Sequence, residues 1–391
     1  MDCAAPTEEL SHDDRLAHEL AGNRLTISGS GPELRDMLVA LIDGARENLR
    51  LYYYIFADDE SGRLVRDRLA SAARRGVEVT LMVDAFGSKE LPSGFFASLE
   101  EAGAQVGWFG SHWSTRYLIR NHQKMAIADD ARAMIGGFNV ADSYFGIPEE
   151  DCWHDLGLLI EGPEAANLVQ WYQWLWEWVS SAHQRFRRLR AMVRAWRDRR
   201  TPFRWLVGGP SRRVNLWART VRQDLETARR VDMIAAYFAP GNGTLTRLRR
   251  VAARGQVRLI FPSRSDNMAT VSAARLLYGP LLRRGARIFE YQPCRLHMKL
   301  IVIDDIVYIG SANFDMRSLF LNLEIMLRIE DRALADKVRT FVDARARVSE
   351  EIDFARHQAE QTPLRLMKRW ISYFLVGILD YKVTRRLNFY E

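Results

Sequence analysis

The sequence predicts an α/β protein in which two similar halves each contain a β-sheet covered by helices. Two observations support this prediction. Runs of β-branched and aromatic apolar residues alternate with amphipathic helical stretches along most of the 391 residues. The same alternation occurs twice, with matching residues in matching places, which indicates an internal duplication. Sheets covered by helices are the architecture that such an alternation favours.

Three pairs of segments carry the duplication. In chain order, ARENLRLYYYIF (45–56) matches ARRVDMIAAYFAPG (228–241), AARRGVEVTLMVD (72–84) matches AARGQVRLIFPS (252–263), and EEAGAQVGWFG (100–110) matches LRRGARIFEYQ (282–292). Glycine, which helix C-termini favour, stands where these helices would end, at Gly76, Gly103, Gly255 and Gly285. Each copy is therefore predicted to repeat the same order of strands and helices.

A histidine–lysine–aspartate motif occurs once in each half. NHQKMAIADD (121–130) gives His122, Lys124 and Asp129, and LHMKLIVIDD (296–305) gives His297, Lys299 and Asp304. Residues two apart in a strand point to the same face, so each histidine would project beside its lysine. A polar face needed only for solubility would not repeat these residues at this spacing, and we interpret both motifs as catalytic.

Two further segments follow the motif in each half. IGGFN (135–139) corresponds to IGSANF (309–314), which supplies Asn139 in the first half and Ser311 and Asn313 in the second. HDLGLLIEG (154–162) corresponds to LEIMLRIED (323–331), which places Asp155 opposite Glu324. The first copy has Gly137 where the second has Ser311, so we expect the two halves to be unequal.

These motifs resemble the phospholipase D superfamily, whose signature H-x-K-x4-D and G-G/S-x-N type segment is present twice, within roughly residues 25 to 335. The stretches GGFNVADSYFG, WHDLGLLIEGP, AYFAPG and HMKLIVIDD…GSANFDMRSLFLNLE are similar to bacterial cardiolipin synthases that lack amino-terminal transmembrane helices. The resemblance implies two phospholipase D-like repeats, each a mixed β-sheet flanked by helices, related by pseudo-two-fold symmetry. Their histidines and lysines would meet at the interface between the halves.

Phosphodiester chemistry explains why these residue types recur. One neutral histidine can attack phosphorus and form a phosphohistidine, while the other, protonated, acts as general acid and then as general base. The lysines would hold the phosphate, with Ser311, Asn139 and Asn313 as hydrogen-bond donors. This scheme needs no cofactor and no metal. A metal site made of His and Asp fits poorly, because a lysine between the ligands would repel the ion.

Four carboxylates accompany the histidines. Each histidine must present one defined ring nitrogen, so a carboxylate on the other nitrogen is expected, and the resemblance implies Asp155 and Glu324 for that role. Asp129 and Asp304 complete the catalytic signature, and the resemblance implies that they brace loops and lysines. Ordinary turn-forming aspartates remain the alternative for these two. The resemblance also favours His122 as the nucleophile, which the spacing alone does not decide.

The chain divides into five predicted segments. These are an N-terminal extension (1–24), a first repeat (25–165), an amphipathic Trp/Arg-rich helical insert (166–215), a second repeat (216–335), and a C-terminal helical, membrane-surface tail (336–391). Between Arg185 and Arg213 there are eleven arginines and one acid, a local charge of +10 in a chain of +7 overall. That concentration favours an anionic partner, either lipid headgroups or nucleic acid.

Two segments have the pattern of membrane-surface helices. In the insert, tryptophans at 171, 174, 176 and 178 precede a helical stripe with arginines on its other face, the stripe being formed by Leu175, Val179, Ala182, Phe186, Leu189, Val193 and Trp196. In the tail, the apolar run from Ile371 to Leu379 is bracketed by basic residues and is too short to span a bilayer. The alternatives are an amphipathic core helix and a terminal helix docked on the core.

Composition bounds the location. Three cysteines, Cys3, Cys152 and Cys294, form no C-x-x-C pair and favour a reducing compartment. The acidic first twenty residues predict no signal peptide, and no apolar run is long enough for a spanning helix. We expect a peripheral protein on the cytoplasmic face of the inner membrane, and the oligomeric state remains open.

The resemblance implies transfer between two phosphatidylglycerol molecules, which gives cardiolipin and glycerol. Hydrolysis by a phospholipase D would share the covalent intermediate and is the first alternative; a nuclease and a catalytically silent membrane-binding scaffold are the others. The tryptophans and arginines lie on helical stripes outside the repeats that hold the catalytic residues. That arrangement favours phospholipid over a nucleic-acid strand lying across the site.

Overall fold

The computed structural model describes residues 14–110, 119–147, 150–210 and 214–374. Cys3, most of the predicted N-terminal extension and the end of the predicted tail beyond Phe374 lie outside the described residues. The first half contains β1 Arg15–Leu20, β2 Asn23–Ser28, α1 Gly31–Asp43, β3 Asn48–Tyr53, α2 Glu60–Arg74, β4 Glu78–Asp84, α3 Ala97–Glu101, β5 Gln105–Phe109, β6 Met125–Ala128, β7 Arg132–Gly136, α4 Asp142–Phe145, β8 Trp153–His154 and β9 Gly157–Glu161.

Two helices, α5 Pro163–Val179 and α6 Phe186–Ala195, lead to the second half. That half contains β10 Phe203–Gly208, α7 Leu216–Thr227, β11 Arg230–Ala235, β12 Phe238–Ala239, α8 Asn242–Arg254, β13 Gln256–Pro262, α9 Met268–Leu282, β14 Arg287–Tyr291, β15 Arg295–Leu296, β16 Lys299–Ile303, β17 Ile306–Gly310, β18 Phe314–Asp315, α10 Met316–Phe320, β19 Glu324–Glu330, α11 Arg332–Arg347, β20 Ser349–Glu351, α12 Phe354–Ala359 and α13 Pro363–Tyr373.

The two large sheets repeat one topology. The first has the strand order β1-β2-β9-β7-β6-β3-β4-β5, and the second β10-β19-β17-β16-β11-β13-β14-β20. Seven consecutive strands correspond, and each corresponding pair of neighbours has the same direction: β3, β4 and β5 are parallel, as are β11, β13 and β14, and the other neighbours are antiparallel. The predicted pair of mixed sheets flanked by helices is confirmed.

The central strands of each sheet are apolar and buried on both faces, whereas the edge strands β1 and β20 are polar and partly exposed. In β6, Met125 and Ile127 face a core shared with the second half, while Ala126 and Ala128 face a separate core against α1 and α2. The period of two along the strand produces this division. Strands β7 and β9 contact β17 of the other sheet, so the two halves join through one continuous hydrophobic core.

The predicted segment boundaries need three corrections. Residues 15–20 form an edge strand of the first sheet instead of an extension, paired with β2. Strand β10 lies in the segment predicted to be helical and pairs with β19, so the second sheet begins before residue 216. The predicted tail begins too early, because α11 continues to Arg347 and β20 pairs with β14.

The Trp/Arg-rich insert is two helices, interrupted between residues 180 and 185. Most of its apolar stripe faces the protein core, since Leu175, Val179, Leu189, Val193 and Trp196 are buried while Ala182, between the two helices, is exposed. The preceding Trp171 is also buried, and its ring packs 5.8 Å from that of Trp196. The prediction that this stripe inserts into a membrane is therefore wrong, and the alternative of an amphipathic core helix is correct. Among the described residues, every helix is too short or too polar to cross a bilayer.

Candidate active site

The two motif histidines precede the central strands β6 and β16, and each is held by the opposite half. The backbone N–H of His122 donates to the carbonyl of Leu323 at 2.9 Å, and that of His297 donates to the carbonyl of His154 at 2.8 Å. Short parallel pairings between β15 and β8, and between Asn121 and Leu323, extend these contacts. The chain thus brings both motifs to the boundary between the halves.

The next residue in each opposite segment is a buried carboxylate. Nδ1 of His122 lies 3.3 Å from Oε2 of Glu324, and Nδ1 of His297 lies 2.5 Å from Oδ2 of Asp155. Each histidine is therefore paired with the carboxylate of the other half. An Nδ1–H that donates to the carboxylate leaves Nε2 unprotonated, which is the form a nucleophile or base requires.

The two lysines lie beside these histidines and are fully enclosed. Nζ of Lys124 donates to the carbonyl of His122 at 2.8 Å, and Nζ of Lys299 donates to the carbonyl of His297. Burial lowers the pKa of Lys124 to about 7, with Lys299 contributing, and burial lowers the pKa of Lys299 to about 8. An anion bound in the site would stabilise the charged form of both lysines.

The four basic groups are close enough for the lysine of each half to affect the pKa of the other half's histidine. Burial and then Lys124 lower the pKa of His122 to about 4, and Lys299 of the other half lowers it further. Burial and Lys299 lower the pKa of His297 to about 4, with a contribution from Lys124. Burial raises the pKa of Asp155, but Lys299 and His297 outweigh it and keep that pKa below its usual value. Both imidazoles are neutral at pH 7 before a phosphate binds.

Asp129 and Asp304 lie away from this cluster, at the far ends of β6 and β16. Oδ1 of Asp129 accepts hydrogen bonds from the backbone N–H groups of Arg46, Glu47 and Asn48, and Asp304 accepts from Arg229 and Arg230. Both have positive φ, 53° and 48°, in the turns that follow their strands. Their inclusion among the catalytic residues is corrected. They brace the loops before β3 and β11 through backbone amides, and Asp129 also accepts from the Arg132 guanidinium at 2.9 Å; their described hydrogen bonds do not reach the lysines.

Ser311 acts behind the histidine. Its hydroxyl donates to Oε2 of Glu324 at 2.5 Å, and the Ser318 hydroxyl donates to Oε1 at 2.8 Å. Ser311 is completely buried, and its oxygen also accepts from the backbone N–H of Ile325. It therefore positions Glu324, whereas the sequence predicted a donor to phosphate.

Gly137 of the first half, which corresponds to Ser311, leaves space for the carboxylate of Asp155. A Cβ at Gly137 would lie 2.3 Å from Oδ1 of Asp155. The shorter carboxylate thus occupies the space that a side chain at 137 would fill, and it reaches His297 from there. The difference between Gly137 and Ser311 accompanies the difference between Asp155 and Glu324.

The two predicted asparagines differ in their contacts. Oδ1 of Asn139 accepts from the backbone N–H of Ile55 at 3.0 Å. Oδ1 of Asn313 is buried and, within the described residues, lacks a hydrogen-bond partner. A buried polar atom without a partner is uncommon and is often found at a functional site.

Sequence reasoning missed the aromatic wall of the site. The Tyr54 ring lies 5.2 Å from that of His122, while Trp153, Tyr144 and Tyr237 lie 5.3, 5.4 and 6.3 Å from that of His297. Trp153 and Tyr144 occur in the stretches WHDLGLLIEGP and GGFNVADSYFG, and Tyr54 and Tyr237 occur in matched repeat segments. Their occurrence in those stretches could have identified these aromatic residues as candidates for the site.

Gln123 and Trp171 link the insert to the motif. Nε2 of Gln123 donates to the carbonyl of Glu324 at 3.1 Å, and the Trp171 indole N–H donates to Oε1 of Gln123 at 3.0 Å. The insert helix α5 thereby supports the segment that carries His122. No signal in the sequence connects these distant residues.

Comparison with known families gives a direct match. The family described as "Cardiolipin synthase, PLD-like domain" matches residues 38–176 and 221–345, more than half of the chain. Cardiolipin synthase A of Pseudomonas putida (strain W619) is 32% identical over 364 residues, covering 89% of this chain and 74% of the relative. Cardiolipin synthase A of Pseudomonas syringae pv. syringae (strain B728a) is 30% identical over 341 residues, covering 85% of this chain and 70% of the relative.

Solved structures share the fold at low sequence identity. Phosphatidylserine synthase from Haemophilus influenzae Rd KW20 superposes with a TM-score of 0.72 at 15% identity, covering 98% of this chain and 100% of that one. Polyphosphate kinase from Porphyromonas gingivalis gives a TM-score of 0.55 at 14% identity, covering 82% of this chain and 50% of that one. These matches support the same arrangement of two sheets.

Proposed function

The chain belongs to the phospholipase D-like cardiolipin synthase family, and from this membership we propose that it transfers a phosphatidyl group from one phosphatidylglycerol to another. The products would be cardiolipin and glycerol. The observation that carries the proposal is the reciprocal pairing of two histidines with two carboxylates across the halves, beside two buried lysines. This arrangement suits attack on a phosphodiester followed by transfer to an alcohol.

The proposed reaction has two displacements at phosphorus. Binding of the anionic phosphodiester favours the protonated form of the nearby imidazoles, so one of the two histidines takes up a proton from solvent. Nε2 of the other, neutral histidine attacks phosphorus, and the bond from phosphorus to the glycerol oxygen breaks as the protonated histidine donates its proton to that oxygen. The second histidine then takes the proton from a hydroxyl of the acceptor phosphatidylglycerol, whose oxygen displaces the first histidine. Lys124 and Lys299 balance the charge on the phosphoryl oxygens throughout.

We assign the nucleophile to His122 and the general acid to His297. The His297–Asp155 contact of 2.5 Å is shorter than the His122–Glu324 contact of 3.3 Å, which favours a protonated His297, although Nζ of Lys299 lies 2.6 Å from the same Nδ1 and opposes the added charge. The side chain of His122 is also more open, 13% exposed against 6% for His297. Both differences favour attack by His122.

A leaving group that needs no proton separates these roles. With a p-nitrophenyl ester of phosphatidic acid, His297→Ala should release a burst of nitrophenolate as the phosphohistidine forms, whereas His122→Ala should release none. The opposite pattern would exchange the two assignments. If both variants fold but neither releases a burst, then neither histidine can form the phosphohistidine without the other, and the assignment of separate roles on this substrate is refuted.

Product analysis tests the overall reaction. Purified protein incubated with phosphatidylglycerol should give cardiolipin and glycerol. Phosphatidic acid and glycerol as the main products would instead support the hydrolase alternative. Cleavage of single-stranded DNA without action on lipid would support the nuclease.

We further propose that the protein works as a peripheral enzyme on an anionic membrane, at the cytoplasmic face of the inner membrane, and that α13 makes the contact. Five apolar side chains of this helix region are between 50% and 71% exposed and recur every three or four residues; this α13 apolar stripe consists of Leu364, Met367, Trp370, Ile371 and Phe374. Such a stripe beside basic residues is typical of helices that lie in the headgroup layer. Cys152 and Cys294 form no disulfide in the described part of the chain, which is compatible with a reducing compartment.

Vesicle flotation tests the membrane contact. Replacing Leu364, Met367 and Phe374 together with glutamine should reduce flotation with phosphatidylglycerol vesicles, because less apolar area is buried in the lipid. The matched control replaces three exposed apolar residues elsewhere, Trp108, Ile147 and Val214, with glutamine. Equal flotation of the two triple variants would refute a role for α13.

A further inference from the structure

A second basic cavity lies between α9, α12 and α13. It has a volume of about 460 Å³, within the roughly 300–1,000 Å³ range of small-molecule pockets. Its lining includes five cationic side chains, Arg275, Arg356, Arg365, Lys368 and Arg369, and three acidic ones, Glu290, Glu350 and Glu360. The charged lining therefore has an excess of positive charge.

Two of the cations are already paired. Arg275 makes a two-point contact with Glu290, at 2.7 and 2.6 Å, and Arg356 contacts Glu350 and also Glu360, the latter at 3.3 Å. These pairs account for the three carboxylates. The excess charge therefore belongs to the side chains of α13.

Arg369 is the unusual member of this lining. Its side chain is 8% exposed, and its Nη1 has no hydrogen-bond partner within the part of the chain that the structure describes. Its Nη2 lies 4.0 Å from Oε2 of Glu360, a carboxylate that already contacts Arg356. Burial and then Arg275 lower the pKa of Arg369. A buried guanidinium without adequate neutralisation is costly, and an anion bound beside it would remove the cost.

We propose that this cavity binds the phosphate of an anionic phospholipid headgroup, at a site separate from the catalytic histidines. A guanidinium with unused donors on one edge suits phosphate oxygens, and Lys368 and Arg365 add positive charge at the same cavity. Lys368 is also a helical neighbour of Leu364 and Ile371, so the cavity lies beside the α13 apolar stripe. A headgroup held at Arg369 can thus leave its acyl chains on the lipid side of the helix.

Because the cavity lies beside the α13 apolar stripe, we expect its phosphate ligand to belong to a phospholipid and not to be free phosphate. The same helix carries the basic residues of the cavity and the exposed apolar residues, and a phospholipid satisfies both. The site does not depend on phosphatidyl transfer, because a hydrolase acting on phospholipid would use the same surface. It would hold the enzyme where anionic lipid is abundant.

Hydrogen exchange on the full chain gives a local test. Phosphatidylglycerol mixed into phosphatidylcholine vesicles should slow exchange in peptides covering residues 354–374, as should soluble short-chain phosphatidylglycerol. In Arg369→Gln, binding of the short-chain lipid at these peptides should weaken by about 10- to 100-fold, the value of one charge-assisted hydrogen bond. Glu360→Gln should strengthen it, because a competing carboxylate is removed. Arg332→Gln, which replaces an 82% exposed arginine of α11, is the matched control and should behave as wild type.

Each other outcome overturns the proposal. Equal protection by pure phosphatidylcholine vesicles would show that the apolar stripe acts alone. Equal protection by inorganic phosphate at the same concentration would make the site one for free phosphate. Wild-type protection in Arg369→Gln would exclude the cavity. Unchanged protection in Glu360→Gln would also contradict binding at Arg369, because Glu360 lies 4.0 Å from that guanidinium. Cardiolipin formation is measured separately, so failure here is distinct from failure of the catalytic proposal.

Discussion

Replacing Gly137 with alanine tests whether the first half sets the orientation of His297. The new Cβ would lie 2.3 Å from Oδ1 of Asp155 and 2.9 Å from its Oδ2. The carboxylate must withdraw to beyond 3.0 Å, and it is the group that contacts Nδ1 of His297 at 2.5 Å. Gly137 has no positive φ, so the substitution acts through this contact and not through backbone strain.

The expected loss follows from that displacement. A shift of about 1 Å in a catalytic group can cost about 100-fold in rate, and we expect kcat of Gly137→Ala to fall by about that factor. Asp155→Ala should cost about 100- to 10,000-fold, by comparison with a histidine that loses its orienting carboxylate. In the double variant Gly137→Ala/Asp155→Ala, the new Cβ no longer meets a carboxylate. Its kcat should therefore match that of Asp155→Ala alone.

The assay is cardiolipin formation from phosphatidylglycerol, with thermal unfolding measured on each variant. Gly243→Ala on α8 is the matched control, because its Cβ would meet its nearest neighbour at 3.6 Å, an ordinary contact. Near-normal kcat in Gly137→Ala would refute the reasoning. So would a double variant in which the two losses multiply.

Three further predictions concern charge and packing. The KM for short-chain phosphatidylglycerol should rise between pH 6 and pH 9, because Lys124 and Lys299, with lowered pKa values of about 7 and 8, lose their charge as pH increases; a flat KM would contradict this. Asp129→Ala should lower the free energy of unfolding by about 1–3 kcal/mol in denaturant titrations, since three backbone amides lose their acceptor, with kcat near wild type; a large loss of kcat would return Asp129 to the catalytic set. Trp171→Phe should destabilise by a similar amount, about 1–3 kcal/mol, by leaving Oε1 of Gln123 without its donor, and unchanged stability would show that bond to be dispensable.

The repeated fold could be predicted because its signals are local. Apolar strands and glycine-terminated helices are encoded within short windows, and two copies reinforce each other. The edge strand at 15–20 was missed because its polar sequence, RLAHEL, carries little apolar signal. Strand β10 was missed because arginine-rich residues precede it, and pairing with β19 determines its conformation.

The insert shows why amphipathic patterns are ambiguous. A stripe of apolar residues records only that one face is buried, and the burying surface can be lipid or protein. Trp171 and Trp178 are buried within the protein, whereas Trp370 of α13 is 55% exposed. Only the tertiary structure distinguishes these tryptophans.

For the site, the sequence identified the histidines, lysines and carboxylates but not their partners. The pairing of His122 with Glu324 and of His297 with Asp155 depends on how the halves meet, which spacing does not encode. Asp129 and Asp304 shared the motif yet lie beyond the opposite ends of the strands, because several residues of extended chain carry them away from the lysines. Ser311 shared the motif yet points to Glu324.

The exchange of carboxylates between the halves has an evolutionary consequence. A change at Asp155 alters the chemistry of a histidine encoded about 140 codons later, and a change at Glu324 alters one encoded about 200 codons earlier. Each half therefore depends on a carboxylate that the other half supplies. We therefore expect Gly137 to change together with Asp155, and Ser311 together with Glu324, among related sequences.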